Sequence, residues 1–256
     1  MELSHIFDTH SHYDDPAFSS DCSLLISSLF ERGISGIVHA STDSKSVQFG
    51  ISMSEKYPCF YVAAGIHPEY ADNYDEKDVL ELEKYFASKK VLAVGEIGLD
   101  YHYEGYNRER QITLFRAQVE LANKLGLPVI VHSRDATGDC IEILKELKPK
   151  GILHCFSGSW ETAKEVLSLG MYIGFTGVLT FKNSKKAVEV CKKMPLERLL
   201  LETDCPYMAP EPNRGKRCDS SMILYTAKKA AEIREISYEE IILSTEQNAH
   251  RVYGIN

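Results

Sequence analysis

The stretch Ile6-Phe7-Asp8-Thr9-His10-Ser11-His12 bears on both the fold and the chemistry of this chain. It begins as a short apolar run, which is typical of a buried strand, and it ends in two histidines. Side chains alternate between the two faces of a strand, so His10 and His12 are expected to point to the same side. A histidine pair with this spacing is a weak metal signal by itself. Its meaning depends on which residues the rest of the chain places beside it.

Seven further short apolar runs follow, and stretches with helical spacing or helix-start signals separate them. Eight strand–helix units in 256 residues favour an α/β fold, a closed (β/α)8 TIM barrel that forms one domain over residues 1–256. An open doubly wound sheet is the alternative, although no G-x-G-x-x-G motif follows the first strand. A last helix is predicted over Tyr238–Tyr253, on the outside of the barrel. The predicted strands are Ile6–His10, Gly36–Ala40, Phe60–Gly65, Val91–Glu96, Pro128–His132, Gly151–His154, Tyr172–Gly174 and Leu199–Asp204.

The overall composition limits the classes of partner. A net charge of −8 argues against a broad electropositive surface for binding duplex DNA, but it leaves room for a local groove with bound cations. No apolar run approaches the roughly 20 residues that span a bilayer, and the N-terminal residues do not resemble a secretory signal. Seven scattered cysteines without a C-x-x-C pair are typical of reduced thiols. We therefore expect a cytoplasmic protein with no membrane contact and no obligate protein partner.

Side chains of the metal-ligand type stand at the ends of several predicted strands. The carboxyl ends of barrel strands converge on one mouth, so these side chains are expected to meet there. Imidazoles and carboxylates together suit divalent metals, and two ions can clamp the attacking and leaving oxygens of a displacement. Asp204 could then accept the proton of an attacking water. The predicted metal ligands are His10, His12, Glu96, His132, His154 and Asp204.

Several residues near the same mouth are candidates for substrate contacts. His67 follows the third strand and could contact a substrate oxyanion, or it could be an ordinary loop histidine. Arg134 follows the predicted ligand His132 and is a candidate phosphate contact. His102 could lie near the site or be exposed. The basic cluster Arg214-Gly215-Lys216-Arg217 lies in the loop after the last strand. It could be an ordinary solvent-exposed cluster, or it could contact a substrate phosphate.

Five other residues carry local expectations. Glu202 lies two residues before Asp204, so both side chains are expected on the same face of the strand. Glu202 could orient a metal-binding side chain through a hydrogen bond, or it could form a buried ion pair. Cys155 and Cys205 adjoin predicted ligands, so strand alternation is expected to turn them away from the site. Asp135 and Ser159 are predicted N-caps of the helices after the fifth and sixth strands.

Six motifs in series resemble those of the TatD family of metal-dependent hydrolases, in order and at family-like spacing. They are Asp8-Thr9-His10-Ser11-His12, Gly65-Ile66-His67-Pro68, Gly95-Glu96-Ile97-Gly98-Leu99-Asp100, His132-Ser133-Arg134-Asp135-Ala136, His154-Cys155-Phe156-Ser157-Gly158 and Leu201-Glu202-Thr203-Asp204-Cys205-Pro206-Tyr207. The resemblance implies an amidohydrolase-like TIM barrel with two divalent metals. Mg²⁺ is favoured, and Mn²⁺ and Zn²⁺ remain open.

The resemblance also implies an activity and residue roles. The activity would be that of a deoxyribonuclease, a 3′-to-5′ exonuclease, acting on single-stranded DNA or frayed ends. The catalytic residues would be Asp204, Glu96 and His67, and the substrate contacts would be His67 and Arg134. By position, one metal would be bound by His10, His12, Glu96 and Asp204, and the other by Glu96, His132 and His154.

One segment departs from the family pattern. After Arg217 the family usually continues with Asn and then a Pro, whereas this chain has Cys218-Asp219-Ser220-Ser221. Asp219 or Ser220 is expected to cap the following helix instead.

Two other functions fit the same residues. One is the hydrolysis of an amide or a lactone, in which the same metals and water would attack a carbonyl. The other is a metal-binding scaffold without catalysis.

Overall fold

The computed structural model describes residues 3–255. Within them, eight parallel strands form one sheet in chain order, each paired with the next. The last strand returns to the first, since the Asp204 amide donates to the His10 carbonyl and the His12 amide donates to the Cys205 carbonyl. The predicted TIM barrel is therefore confirmed, and the doubly wound alternative is wrong. The strands are β1 (Ile6–Ser11), β2 (Ile34–Ala40), β3 (Phe60–Ala64), β4 (Val91–Asp100), β5 (Val129–Arg134), β6 (Gly151–Leu153), β7 (Tyr172–Phe175) and β8 (Leu199–Leu201).

Helices alternate with these strands and cover the barrel. Ser159 caps its helix as predicted, because its hydroxyl accepts the amide of Thr162. Asp135 does not cap the helix after β5, because Ala136 occupies the N-cap position of that helix. No helix within residues 3–255 is long and apolar enough to cross a membrane. The α-helices are α1 (Cys22–Glu31), α2 (Ser44–Lys56), α3 (Glu76–Leu82), α4 (Arg108–Leu125), α5 (Thr137–Leu147), α6 (Trp160–Ser168), α7 (Lys185–Lys193), α8 (Ile223–Arg234) and α9 (Tyr238–Tyr253).

Several predicted strand ends are off by one or two residues, and two carboxyl ends differ by three or four. Strand β4 continues four residues beyond Glu96, because it stays paired with β5 as far as Asp100 and Arg134. Strand β8 stops at Leu201, so Asp204 lies in the following turn with a φ of 59°. That turn aims the Asp204 side chain at the mouth of the barrel, where its backbone amide is already bonded to β1.

Helix α9 has the predicted bounds, but it does more than pack on the outside of the barrel. Its last turn joins a buried cluster with apolar side chains from most of the strands. The Tyr253 hydroxyl donates to the Thr9 carbonyl at 2.8 Å. This end of the barrel is thus filled, and the opposite end is left for the site. The cluster comprises Phe7, Val38, Ala63, Ala93, Ile130, Ile152, Leu200, Ala249 and Tyr253.

Candidate metal centre

The two histidines at the end of β1 meet two carboxylates. The Nε2 atoms of His10 and His12 lie 3.0 Å apart, so the expectation that both rings share one side is confirmed. Glu96 Oε2 lies 3.2 Å from His10 Nε2 and 3.3 Å from His12 Nε2. Asp204 Oδ1 lies 3.6 Å and 3.3 Å from the same two nitrogens. These four side chains form one half of the candidate centre.

The other carboxylate oxygen of Glu96 faces a second group of histidines. Glu96 Oε1 lies 2.9 Å from His132 Nδ1 and 2.7 Å from His154 Nε2. Those two nitrogens are 3.2 Å apart, and His67 Nε2 is 3.7 Å from the same oxygen. Glu96 therefore stands between two sets of donors, with one oxygen turned to each.

The donor set fits divalent cations. Three groups of side chains each bring three ligand atoms within 4.8 Å of one another: His10 with His12 and Glu96, His10 with His154 and Asp204, and His67 with Glu96 and His132. The imidazole nitrogens of His10 and His12 are 3.0 Å apart, and those of His132 and His154 are 3.2 Å apart. Nitrogens rarely approach each other to such distances unless a proton or a cation lies between them. All six residues predicted as ligands take part in these groups, so the expected meeting of these side chains at one mouth is observed.

The electrostatics keep the carboxylates ionised. Burial opposes the charge on Glu96, but His154 and His10 outweigh it and hold the Glu96 pKa well below its usual range. Burial likewise opposes the charge on Asp204, and the hydrogen bond from His12 nevertheless lowers the Asp204 pKa. Burial together with the nearby His154 lowers the pKa of His10 to about 4. The carboxylates act oppositely on the other three histidines: although burial opposes their charge, Glu96 and its neighbouring carboxylates raise the pKa of His12, His132 and His154. Metal binding requires neutral imidazoles, so a cation bound here would displace protons from these rings.

Two carboxylates stand behind the histidines. Asp100 Oδ2 lies 3.1 Å from His132 Nε2, on the far side of the ring from Glu96. Glu202 Oε1 lies 3.8 Å from His154 Nδ1 and accepts the amide of Cys155, in line with the supporting place expected for it. A carboxylate behind a ligating histidine orients the ring and raises its basicity.

Sequence reasoning missed the role of Asp100. The signal was present, since Glu96 and Asp100 are four residues apart and an extended strand turns both to one face. It was obscured because the predicted strand stopped at Glu96.

His67 lies beside the donors, and its hydrogen bonds define which nitrogen carries the proton. It caps a short 3₁₀ segment, Pro68–Asn73, where its Nδ1 accepts the amide of Glu69 at 3.2 Å. Burial lowers the pKa of His67 to about 3, so the ring is neutral. A neutral ring that accepts at Nδ1 carries its proton on Nε2, the atom that faces Glu96. His67 is therefore placed to donate a hydrogen bond into the cavity.

The cavity above the donors has a volume of about 610 Å³. His67 and Arg134 both line it, as expected. Cys155 also lines it, and the prediction that this thiol turns away was wrong. Strand β6 ends before Cys155, whose φ of 46° bends the chain, so strand alternation no longer applies there. Cys205 is fully buried, as expected.

The basic cluster after β8 is engaged elsewhere. Arg217 forms two hydrogen bonds of 2.7 Å with the carboxylate of Asp21. The Arg214 guanidinium lies 4.2 Å from the centre of the Phe181 ring. Lys216 donates to the side chain of Asn213. Among the described residues that line the cavity, none belongs to this cluster, so the structure favours its explanation as a surface feature.

The other histidines have structural partners. His102 Nδ1 lies 2.8 Å from Asp135 Oδ2, and this pair explains why Asp135 is not the helix cap. His5 pairs with Glu246 on the surface. His39 is fully buried, and its ring lies within hydrogen-bond distance of Ser46.

A buried network ties the unusual segment after Arg217 to β1. The fully buried carboxylate of Asp8 accepts the Thr203 amide at 3.0 Å, the Thr203 hydroxyl at 2.6 Å and the Ser220 hydroxyl at 2.7 Å. Ser220 Oγ also lies 2.7 Å from the Tyr13 hydroxyl. Asp219 caps the 3₁₀ turn Ser220–Met222 through the Ser221 amide, whereas helix α8 itself begins after Met222 without a side-chain cap, so the expected cap lies one turn ahead of the helix. The network fixes the strand that carries His10 against the turn that carries Asp204.

Known proteins resemble this chain over most of its length. The family described as "TatD related DNase" matches residues 7–254. The Bacillus subtilis protein named uncharacterized metal-dependent hydrolase YabD is 41% identical over 254 residues, which cover 98% of this chain and 100% of that protein. The Escherichia coli protein named uncharacterized metal-dependent hydrolase YcfH is 39% identical over 197 residues, covering 76% of this chain and 74% of that protein. The crystal structure of the Escherichia coli TatD homologue YjjV superposes with a TM-score of 0.92 at 30% identity, and the match covers 99% of this chain and 100% of that one.

Proposed function

The chain belongs to the TatD family of metal-dependent hydrolases, and from that premise we propose that it hydrolyses phosphodiester bonds of DNA. We propose further that it works as a 3′-to-5′ exonuclease on single-stranded or frayed ends, with two divalent cations, preferably Mg²⁺. The family description names a DNase, and this supports the substrate class.

The arrangement around Glu96 carries the proposal. Its two oxygens face two separate donor sets, one with His10, His12 and Asp204 and the other with His132 and His154. Bound there, two divalent cations would lower the pKa of a water and stabilise the charge that develops on a phosphate. His10, His12, Glu96 and Asp204 would hold one ion and Glu96, His132 and His154 the other, and both ions would neutralise charge on the phosphate during the displacement.

The chain's own groups have defined tasks around that centre. Asp204 is ionised and partly exposed to the cavity, so it can accept the proton of the attacking water. His67 Nε2–H can donate to a non-bridging phosphate oxygen, and it supplies a hydrogen bond without adding charge. Arg134 lines the cavity and adds a permanent positive charge for the phosphate.

The test uses metal-stripped protein and single-stranded oligonucleotides labelled at the 3′ or the 5′ end. We expect shortening from the 3′ end only after Mg²⁺ or Mn²⁺ is added. Asp204→Asn should abolish it, and Glu142→Gln, an exposed change on α5, should not. Absence of cleavage by protein that binds metal, together with turnover of cyclic amides or lactones, would refute the DNase proposal in favour of carbonyl chemistry. Metal binding with no turnover of any substrate would indicate a scaffold.

A further inference from the structure

Two tyrosines stand exposed at the mouth of the cavity. Tyr103 and Tyr207 are 59% and 53% exposed, although large aromatic side chains usually bury most of their surface. Both line the cavity above the donors. Tyr103 follows β4 and Tyr207 follows β8, and these two strands lie on opposite sides of a ring of eight. The two rings therefore flank the candidate metal centre from opposite sides.

Neighbouring groups hold both rings in place. The Arg134 guanidinium lies 5.3 Å from the centre of the Tyr103 ring, and His102 packs edge-on against it at 5.2 Å. The Tyr207 hydroxyl donates to Asp15 Oδ2 at 2.7 Å. Aromatic groups that are already ordered lose little conformational entropy when a ligand stacks on them. These contacts make the tyrosines preformed surfaces for a flat ligand.

The charges around the cavity point to the kind of ligand. Among the described residues that line it, Arg134 is the one permanently positive side chain, while Asp14, Asp15 and Glu69 are acidic. A polyanion that binds mainly through ion pairs between its phosphates and Lys or Arg side chains would find few partners at this mouth. It suits flat, uncharged rings that accompany a single phosphate at the centre.

A second, smaller cavity leaves room for a further unit of a polymer. Its volume is about 180 Å³, and Glu69, Asp100 and Tyr103 line both cavities. The two cavities therefore adjoin at these residues, and Tyr103 is the aromatic side chain among them. A strand with one unit above the donors has space for its next unit in the smaller cavity.

We propose that Tyr103 and Tyr207 are stacking surfaces for nucleobases on the two sides of the scissile phosphodiester, so that the site holds an unpaired strand end through its bases. The inference rests on the proposed DNase function and assigns its specificity to two residues. Bases stack on aromatic side chains irrespective of sequence, but only when they are unpaired and expose a face. A duplex end must therefore fray before it enters.

The experiment compares two substrates with the metal-loaded protein. One is a single-stranded oligonucleotide, and the other has the same backbone with abasic tetrahydrofuran units at its last three positions. The wild type should prefer the base-bearing strand by roughly 5- to 100-fold in kcat/KM. Tyr103→Ala and Tyr207→Ala should each remove much of that preference, and Tyr103→Trp should retain it. Tyr225→Ala, on α8, is the matched control.

Salt dependence gives a second readout. With one arginine as the permanent cation at the mouth, the logarithm of affinity should fall with the logarithm of salt at a slope near −0.7, the value for about one phosphate contact with a single strand. Equal kcat/KM on both substrates, with cleavage intact, would overturn the stacking proposal and leave the DNase function standing. No cleavage of either substrate would instead overturn the DNase function and the stacking proposal with it.

Discussion

Replacing Ser220 with alanine should destabilise the fold, because this hydroxyl is fully buried between two partners. It donates to the Asp8 carboxylate at 2.7 Å and lies 2.7 Å from the Tyr13 hydroxyl. Loss of a hydrogen bond to a charged group costs about 1.5–3 kcal/mol, and an unsatisfied buried hydroxyl adds about 1 kcal/mol. Asp8 keeps its two bonds from Thr203, which limits the damage. We therefore expect the free energy of unfolding to fall by roughly 2–4 kcal/mol.

The assay is urea and thermal unfolding of metal-free protein in EDTA, so that metal binding does not contribute. For a chain of this size, 1 kcal/mol corresponds to about 2 °C, so the expected loss lowers the Tm by roughly 4–8 °C. The matched control is Ser168→Ala, which removes an exposed hydroxyl bonded to a helix carbonyl and should change the stability by less than about 0.5 kcal/mol. A Ser220→Ala variant as stable as this control would refute the view that Asp8 depends on Ser220.

Three further predictions test other parts of the site and the fold. His67→Ala should lower kcat by about 10²–10³-fold with an unchanged metal content, since it removes one donor to the developing charge; loss of bound metal would contradict this role. Asp100→Asn should weaken metal affinity by about 10- to 100-fold as followed by titration calorimetry, because Asp100 orients His132; wild-type affinity would count against it. Hydrogen bonds from Arg108 and Tyr101 lower the pKa of Asp139, so its stabilising effect should be present above pH ~4 and disappear as the pH falls through its folded-state pKa. Unfolding of Asp139→Asn and wild type should accordingly converge in acid, and a stability difference that persists there would exclude this linkage.

The sequence predicted the barrel well, and with it the convergence of the candidate ligand residues at one mouth. Short apolar runs identify strands, and parallel strands in a barrel necessarily bring their carboxyl ends together. That topology alone was enough to place Glu96, His132 and His154 in one cluster, although they are far apart in the chain.

The remaining errors concern places where regular strand geometry ends. Strand alternation fails at Cys155, because the chain bends there into a left-handed conformation. Asp135 was expected to cap a helix, but its carboxylate is hydrogen-bonded to His102, a side chain from another loop. The importance of Ser220 depends on contact with Asp8, about two hundred residues earlier, which no local pattern could predict. Such pairings depend on tertiary contacts and are visible only in the folded chain.

The central claim is that Glu96 joins two metal sites in one centre. Titration of metal-stripped protein with Mn²⁺, followed by electron paramagnetic resonance, tests it most directly. We expect two ions per chain and the spectrum of an exchange-coupled pair, since ions that shared the Glu96 carboxylate would lie close together, as in two-metal sites generally at about 3.5–4 Å. Glu96→Gln should abolish the coupled signal. A single bound ion, or two ions with the spectrum of isolated Mn²⁺, would contradict the claim.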